Sequence, residues 1–134
     1  MKNKSLSYFI NLDKFPIDEP KSSRYQSIIK EAQKALDFDG CYVLNSIVNK
    51  QAINDMCQEA EKIEGLAHYT SNKVNVYFSK DDPTYPKDHP RRFFMDRSNG
   101  FVSGDKFPEY SIIKELYYSE ELKNFIADCL GVTM

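Results

Sequence analysis

The sequence predicts an α+β fold, mainly helical, in which amphipathic helices supply the core and a few short strands accompany them. Three observations predict it. Two stretches, one starting at Tyr25 and one at Ala52, repeat apolar residues at helical spacing. From Lys73 the apolar period drops to two. Between Ser79 and Pro90 stand three prolines, which forbid helix and central strand alike.

A chain of 134 residues is about one domain's worth, so residues 1–134 are expected to form a single domain or an N-terminal domain fragment. Hydrophobic residues make up 41% and charged residues 28%, a balance that supports a packed core rather than disorder. The net charge of -2 supplies no field for nucleic-acid phosphates or an anionic bilayer, so neither partner is expected. The N-terminus lacks the apolar core of a secretory signal, and no run reaches the ~20 apolar residues of a membrane span. A cytoplasmic protein is expected. Cys41, Cys57 and Cys129 are widely spaced and odd in number, which predicts reduced, mostly buried thiols rather than a disulfide framework.

In chain order, Tyr8-Phe9-Ile10-Asn11-Leu12 reads as a short strand, closed by breaks at Pro16 and Pro20. Tyr25, Ile28, Ile29, Ala32, Ala35 and Leu36 then share one helical stripe, ended by Asp37-Phe38-Asp39-Gly40. Cys41-Tyr42-Val43-Leu44 is β-prone, and Asn49 is a plausible N-cap. In the helix that follows, Ala52, Ile53, Met56, Cys57, Ala60 and Ile63 form the apolar face, with Gly65 as a left-handed terminator. Val74, Val76 and Phe78 alternate with Asn75 and Tyr77 as a strand with two unlike faces. Residues 79–92 form a Pro-rich loop, long enough to be a lid or a binding edge. Asn99-Gly100 marks a turn. Ile112, Ile113, Leu116 and Tyr117 make a short helix, and Ser119 caps a last one, with Glu120 and Glu121 in its first turn and Gly131 behind it. The closing Val132-Thr133-Met134 looks like a strand just beginning.

The chemistry is limited by its imidazoles. His68 and His89 are the only histidines, in neither His-x-Asp nor His-x-x-x-His spacing, so no metal ligand set and no catalytic residue is assigned in this chain. The five glycines are too dispersed for a phosphate loop or a dinucleotide fingerprint. Asn75 and Tyr77 either line a polar pocket or face solvent. Arg91 and Arg92, after His89-Pro90, either clamp a carboxylate or form a solvated edge. Asp81-Asp82 reads as turn chemistry rather than a hard-cation site.

The order of several pieces is more specific than any one of them. Tyr8-Phe9-Ile10-Asn11-Leu12-Asp13-Lys14-Phe15-Pro16-Ile17, Asn75-Val76-Tyr77-Phe78, Asp81-Asp82-Pro83, Asp88-His89-Pro90-Arg91-Arg92, Ser98-Asn99-Gly100-Phe101-Val102, Leu116-Tyr117 and Leu122 to Gly131 follow one another. Together they resemble the N-terminal region of the iron(II)- and 2-oxoglutarate-dependent halogenases and hydroxylases that act on free amino acids such as lysine. The resemblance implies the part that packs around a double-stranded β-helix, without that jelly-roll core. It also implies that the iron and 2-oxoglutarate ligands lie in the core, so that no cofactor is expected in this chain alone, whereas a complete member uses both. What remains here is a substrate-covering segment, with Asn75, Tyr77, His89, Arg91, Arg92 and Tyr118 as substrate-binding candidates for an amino acid. The implied partner is a C-terminal catalytic core or a second chain, and uncovered helix faces imply self-association. Lysine-acting members resemble Leu-Tyr-Glu-Trp-Pro-Pro-Leu where this chain has Leu116-Tyr117-Tyr118-Ser119-Glu120-Glu121-Leu122. Tyr118 thus replaces an acidic group, and a neutral phenol cannot give an ammonium ion a charge-assisted bond, which counts against lysine. Two alternatives stand beside this reading. One is a stand-alone binding or regulatory module derived from the same fold. The other is an unrelated small enzyme using Asp82, His89 and Arg92, for which a Pro-rich loop is a poor platform unless something holds it.

Overall fold

In the computed structural model, residues 4–132 are described, and the end of the apolar terminus, Thr133 and Met134, lies outside them. The fold is α+β and 47% helical, with one two-stranded antiparallel sheet. It divides into two compact units, Met1–Lys62 with Pro108–Met134, and Ile63–Phe107.

The first unit is helical. Helix α1 spans Leu6–Phe9, α2 Ser23–Asp39, α3 Lys50–Ile63 up to the boundary, α4 Ile112–Tyr117 and α5 Glu120–Leu130. Helix α2 has clear punctuation at both ends. The Ser22 hydroxyl accepts from the Tyr25 amide at its start, and Gly40 adopts the left-handed conformation (φ 68°) at its end. Its stripe buries Tyr25, Ile28, Ile29 and Ala32 against Phe9, Ile10, Phe15, Ile17, Ala52 and Phe125. Tyr25 meets Phe125 of α5 edge to face, with centroids 5.5 Å apart. Ser111 and Ser119 cap α4 and α5, and Gly131 closes α5 in the left-handed region. The Glu59 carboxylate of α3 accepts from the Ser111 hydroxyl and from the Ile112 amide (2.9 Å), which places negative charge at an open helix start.

Several expectations need correction. Tyr8 to Leu12 is not a strand: α1 ends at Phe9, and Ile10 makes one antiparallel bridge to Val48. Cys41 to Leu44 forms no strand either. Long-range pairing decides both cases, because a β-prone run without a neighbour of matching register has nowhere to place its backbone hydrogen bonds. The Asn49 side-chain amide donates to the Ser7 and Tyr8 carbonyls, fastening the end of α1 beside α3. Cys41 and Cys57 are exposed, and only Cys129 is buried, where desolvation pushes its thiol pKa up. Ile53 and Ile126, on predicted core faces, are about half exposed.

The second unit contains the sheet. After a 3-10 turn at Glu64–Leu66, which leaves Gly65 outside the left-handed region, β1 runs from His68 to Val74. It pairs antiparallel with β2, Met95–Phe101, in the register His68↔Phe101 to Val74↔Met95. The strand therefore ends where period-two alternation was expected to begin, and Asn75 to Phe78 form a turn. Asn99 and Gly100 lie inside β2 rather than at a turn. Their fit there has a local cause: a Cβ on Gly100 would stand 2.4 Å from Cε1 of its cross-strand neighbour Tyr69, so the ring lies over the bare glycine.

Candidate functional site: the Asn75 turn and the arginine-aromatic loop

Five of the six candidate residues, Asn75, Tyr77, His89, Arg91 and Arg92, lie in the second unit, and the structure brings them together. Asn75 organises the group. Its side-chain oxygen accepts from the Tyr77 and Ser79 amides, both at 3.1 Å. Its side-chain nitrogen donates to the Ser79 hydroxyl (3.1 Å) and to the Arg91 carbonyl (2.6 Å). The main-chain carbonyl accepts from the Phe78 amide at 3.0 Å. Asn is suited to this because its carboxamide gives and accepts at once, so both ends of the group are satisfied without charge. Phe78 is held at φ 52°, a left-handed conformation that costs a side-chain-bearing residue roughly 1–2 kcal/mol and that the turn imposes.

The Pro-rich loop closes onto this turn. The Arg92 guanidinium grips Asp81 with two bonds, Nε to Oδ1 at 2.8 Å and Nη2 to Oδ2 at 3.0 Å, and donates a third to the Tyr85 carbonyl at 3.1 Å. The bond to Asp81 raises the guanidinium pKa further above its already high value. Asp82 accepts from the hydroxyl and the amide of Thr84, and these bonds hold its carboxyl below the ordinary carboxylate range. His89 opens the 3-10 turn Pro90–Arg92, its Nδ1 accepting from the Arg91 amide at 3.2 Å. Its ring stacks on Tyr85 at 4.4 Å. The Arg91 guanidinium lies over the rings of Tyr77 (5.2 Å) and Tyr85 (5.5 Å).

Chemically, this is a scaffold more than a set of reactive groups. The bidentate clamp allowed by the Arg pair exists, but its carboxylate is the protein's own Asp81. Arg91 is the cation left facing outward on an aromatic base. Asp81 and Tyr85 were not among the candidates. The pattern that could have found Tyr85 is the spacing of aromatic, His and Arg residues between prolines, while Asp81 needed the third dimension. Tyr118, the sixth candidate, follows α4 in the first unit, two-thirds exposed and edge to face with Tyr117 at 5.2 Å.

Among the described residues, no group of three or more His, Cys, Asp or Glu side chains stands together to hold a metal. His68 lies edge to face with Phe101, and His89 spends Nδ1 on the main chain. These residues do not fit the iron ligand set of two imidazoles and a carboxylate. No helix among the described residues is long and apolar enough to cross a membrane. No family model, curated protein or solved structure matches the chain.

Proposed function

We propose that this chain acts as the N-terminal, substrate-covering and supporting segment of a non-haem iron, 2-oxoglutarate-dependent oxygenase of the amino-acid halogenase or hydroxylase type, and that it is catalytically incomplete by itself. The order of motifs from Tyr8 to Gly131 supports the family. One structural observation supports the covering role. Between residues 64 and 107 the only buried residue is Asn75, a polar one. Val76, Tyr77, Phe78, Phe93, Met95 and Phe101 are all at least half exposed. A two-stranded sheet with no buried apolar face is marginal in water, and a rigid loop holding aromatic side chains outward is suited to being covered by another surface. In this reading that surface is a β-helix core, which supplies the iron and 2-oxoglutarate ligands, while Arg91 and the tyrosines beside it wall the substrate pocket.

The test is to give the purified full chain iron(II) and 2-oxoglutarate under air and to follow succinate. It is then repeated with a β-helix polypeptide carrying the iron ligands added in trans. The reading expects no succinate from the chain alone, and protection of the Tyr77, Phe78 and Phe93 amides from exchange when the core is added. Succinate formed by the chain alone, at one iron per chain, overturns it. No protection by the core, with binding instead to an unrelated protein or peptide that is lost in Asn75→Ala or Arg91→Ala, replaces it with a stand-alone binding module.

A further inference from the structure

The Asn99-Gly100 pair, which reads in sequence as a turn, lies inside β2, and the covering role makes no use of it. Asn99 is the only asparagine of the chain followed by glycine. That order matters chemically, because a glycine has no side chain to obstruct the approach of its nitrogen to the carboxamide before it. The structure also sets Asn99 apart from the asparagines that it fixes. The Asn75 carboxamide is held by the main chain of Tyr77, Ser79 and Arg91, and the Asn49 carboxamide by the Ser7 and Tyr8 carbonyls. Asn99 is exposed, as is every residue of β2. Asn45-Ser46 stands in an exposed turn, but there the following residue carries a Cβ.

We propose that Asn99 is a site of spontaneous deamidation, with water as the co-reactant, and that the pairing of β1 with β2 sets its rate. The Gly100 nitrogen attacks Cγ of Asn99 and gives up its proton, the bond from Cγ to Nδ2 breaks, and ammonia leaves a cyclic imide behind. Water then opens the imide at Cγ to give aspartate, or at the main-chain carbonyl to give isoaspartate. In a strand the side chain stands perpendicular to the sheet while the amide lies in its plane, so the attack requires β2 to leave the extended conformation. The Tyr69 ring, lying over Gly100, hinders the same movement. Neither restraint is strong, because a sheet of two strands with no buried apolar face opens at little cost. Isoaspartate lengthens the main chain by a methylene, which puts Gly100 and Phe101 out of register with Tyr69 and His68. The inference is independent of the oxygenase reading, because it needs neither a core nor iron.

The test is to incubate the full chain at mildly alkaline pH, with and without urea, and to digest it with trypsin, which releases Asn99 in the peptide Ser98–Lys106. That peptide should gain about 1 Da, as an amide becomes an acid, before any other asparagine-containing peptide of the native chain does. Both aspartate and isoaspartate forms are expected. Conversion should be several-fold faster in urea, and faster in native Tyr69→Ala than in the native wild type. A Ser98–Lys106 peptide that stays unconverted in the native chain overturns the proposal, as does earlier conversion at Asn45 or another asparagine. Equal rates with and without urea, or in the wild type and folded Tyr69→Ala, also overturn it. If Tyr69→Ala does not fold, the wild type in and out of urea decides the matter.

Discussion

The side-chain amide of Asn75 donates to the main-chain carbonyl of Arg91 at 2.6 Å, and this bond ties the end of β1 to the 3-10 turn that precedes β2. The same carboxamide serves the Tyr77 and Ser79 amides. Asn75 therefore does in the second unit what an apolar core does in the first: it makes the conformations of distant segments depend on each other.

Asn75→Ala removes the partner of the Tyr77 and Ser79 amides and of the Arg91 carbonyl, part-buried bonds that contribute about 0.5–1.5 kcal/mol each. The expected result is loss of about 2–3 kcal/mol of local stability in the second unit. Hydrogen exchange at Tyr77 and Ser79 measures it, with the amides of α2 unaffected. Unchanged protection at both sites would mean that the turn does not depend on the side chain.

Arg92→Lys removes the fork but keeps the charge. A single ammonium cannot hold both Asp81 oxygens and the Tyr85 carbonyl together. The midpoint of thermal unfolding should barely move, since the pair is exposed, while relaxation order parameters over 81–89 fall. A loop as rigid as the wild type would show that the stacking of Arg91, Tyr85 and His89 suffices.

In the first unit, Phe125 is fully buried against Tyr25. Phe125→Ala should cost about 3–5 kcal/mol, whereas Tyr25→Phe, which loses only the 2.6 Å bond to Asp128, should cost about 1–2 kcal/mol. Urea denaturation of both variants gives the order. A costlier Tyr25→Phe would make the Asp128 bond, rather than ring packing, the main tie between α2 and α5.

The same hydroxyls set an alkaline limit. The hydrogen bond to Asp55 raises the Tyr8 pKa from 10.0 to about 12. Burial, and then the bond to Asp128, push Tyr25 higher still. Both are protonated more readily folded than unfolded. Their contribution to stability is therefore complete below pH 10 and is lost as pH rises from there through the folded-state values. Absorbance titration of tyrosinate should show these two of the nine tyrosines ionising last, together with the onset of unfolding. In Tyr25→Phe the alkaline loss should be smaller.

Tyr69 lies over Gly100, so a Gly100 α-proton should be shifted upfield by the ring current and should return to an ordinary position in Tyr69→Leu. An unshifted proton in the wild type would place the ring elsewhere.

The helices were legible because their signals are local. The stripe beginning at Tyr25, the caps at Ser119 and Gly131 and the stop at Gly40 each act within a few residues, and the structure keeps all of them. The prolines of the loop were equally plain, and so was the gathering of candidates around it in sequence. The strands were misplaced for the opposite reason. Val74 to Phe78 alternates as a strand should, but the residues that could pair with it are determined by β2, and the pairing ends at Val74↔Met95. Nothing near Asn75 in sequence indicated that its amide would find the Arg91 carbonyl, or that Arg92 would close on Asp81.

The sequence by itself determined the helical half, the absence of a histidine pattern for metal, and the placing of Arg, His and Tyr side chains on one proline-bounded segment. Only the tertiary structure decided where the sheet begins and ends, that Asn75 is enclosed while the apolar residues beside it face outward, and that Arg92 closes on Asp81. Helices and caps are specified by hydrogen bonds and apolar contacts three or four residues apart, whereas strand register and charge pairing are fixed by partners that only folding brings within reach.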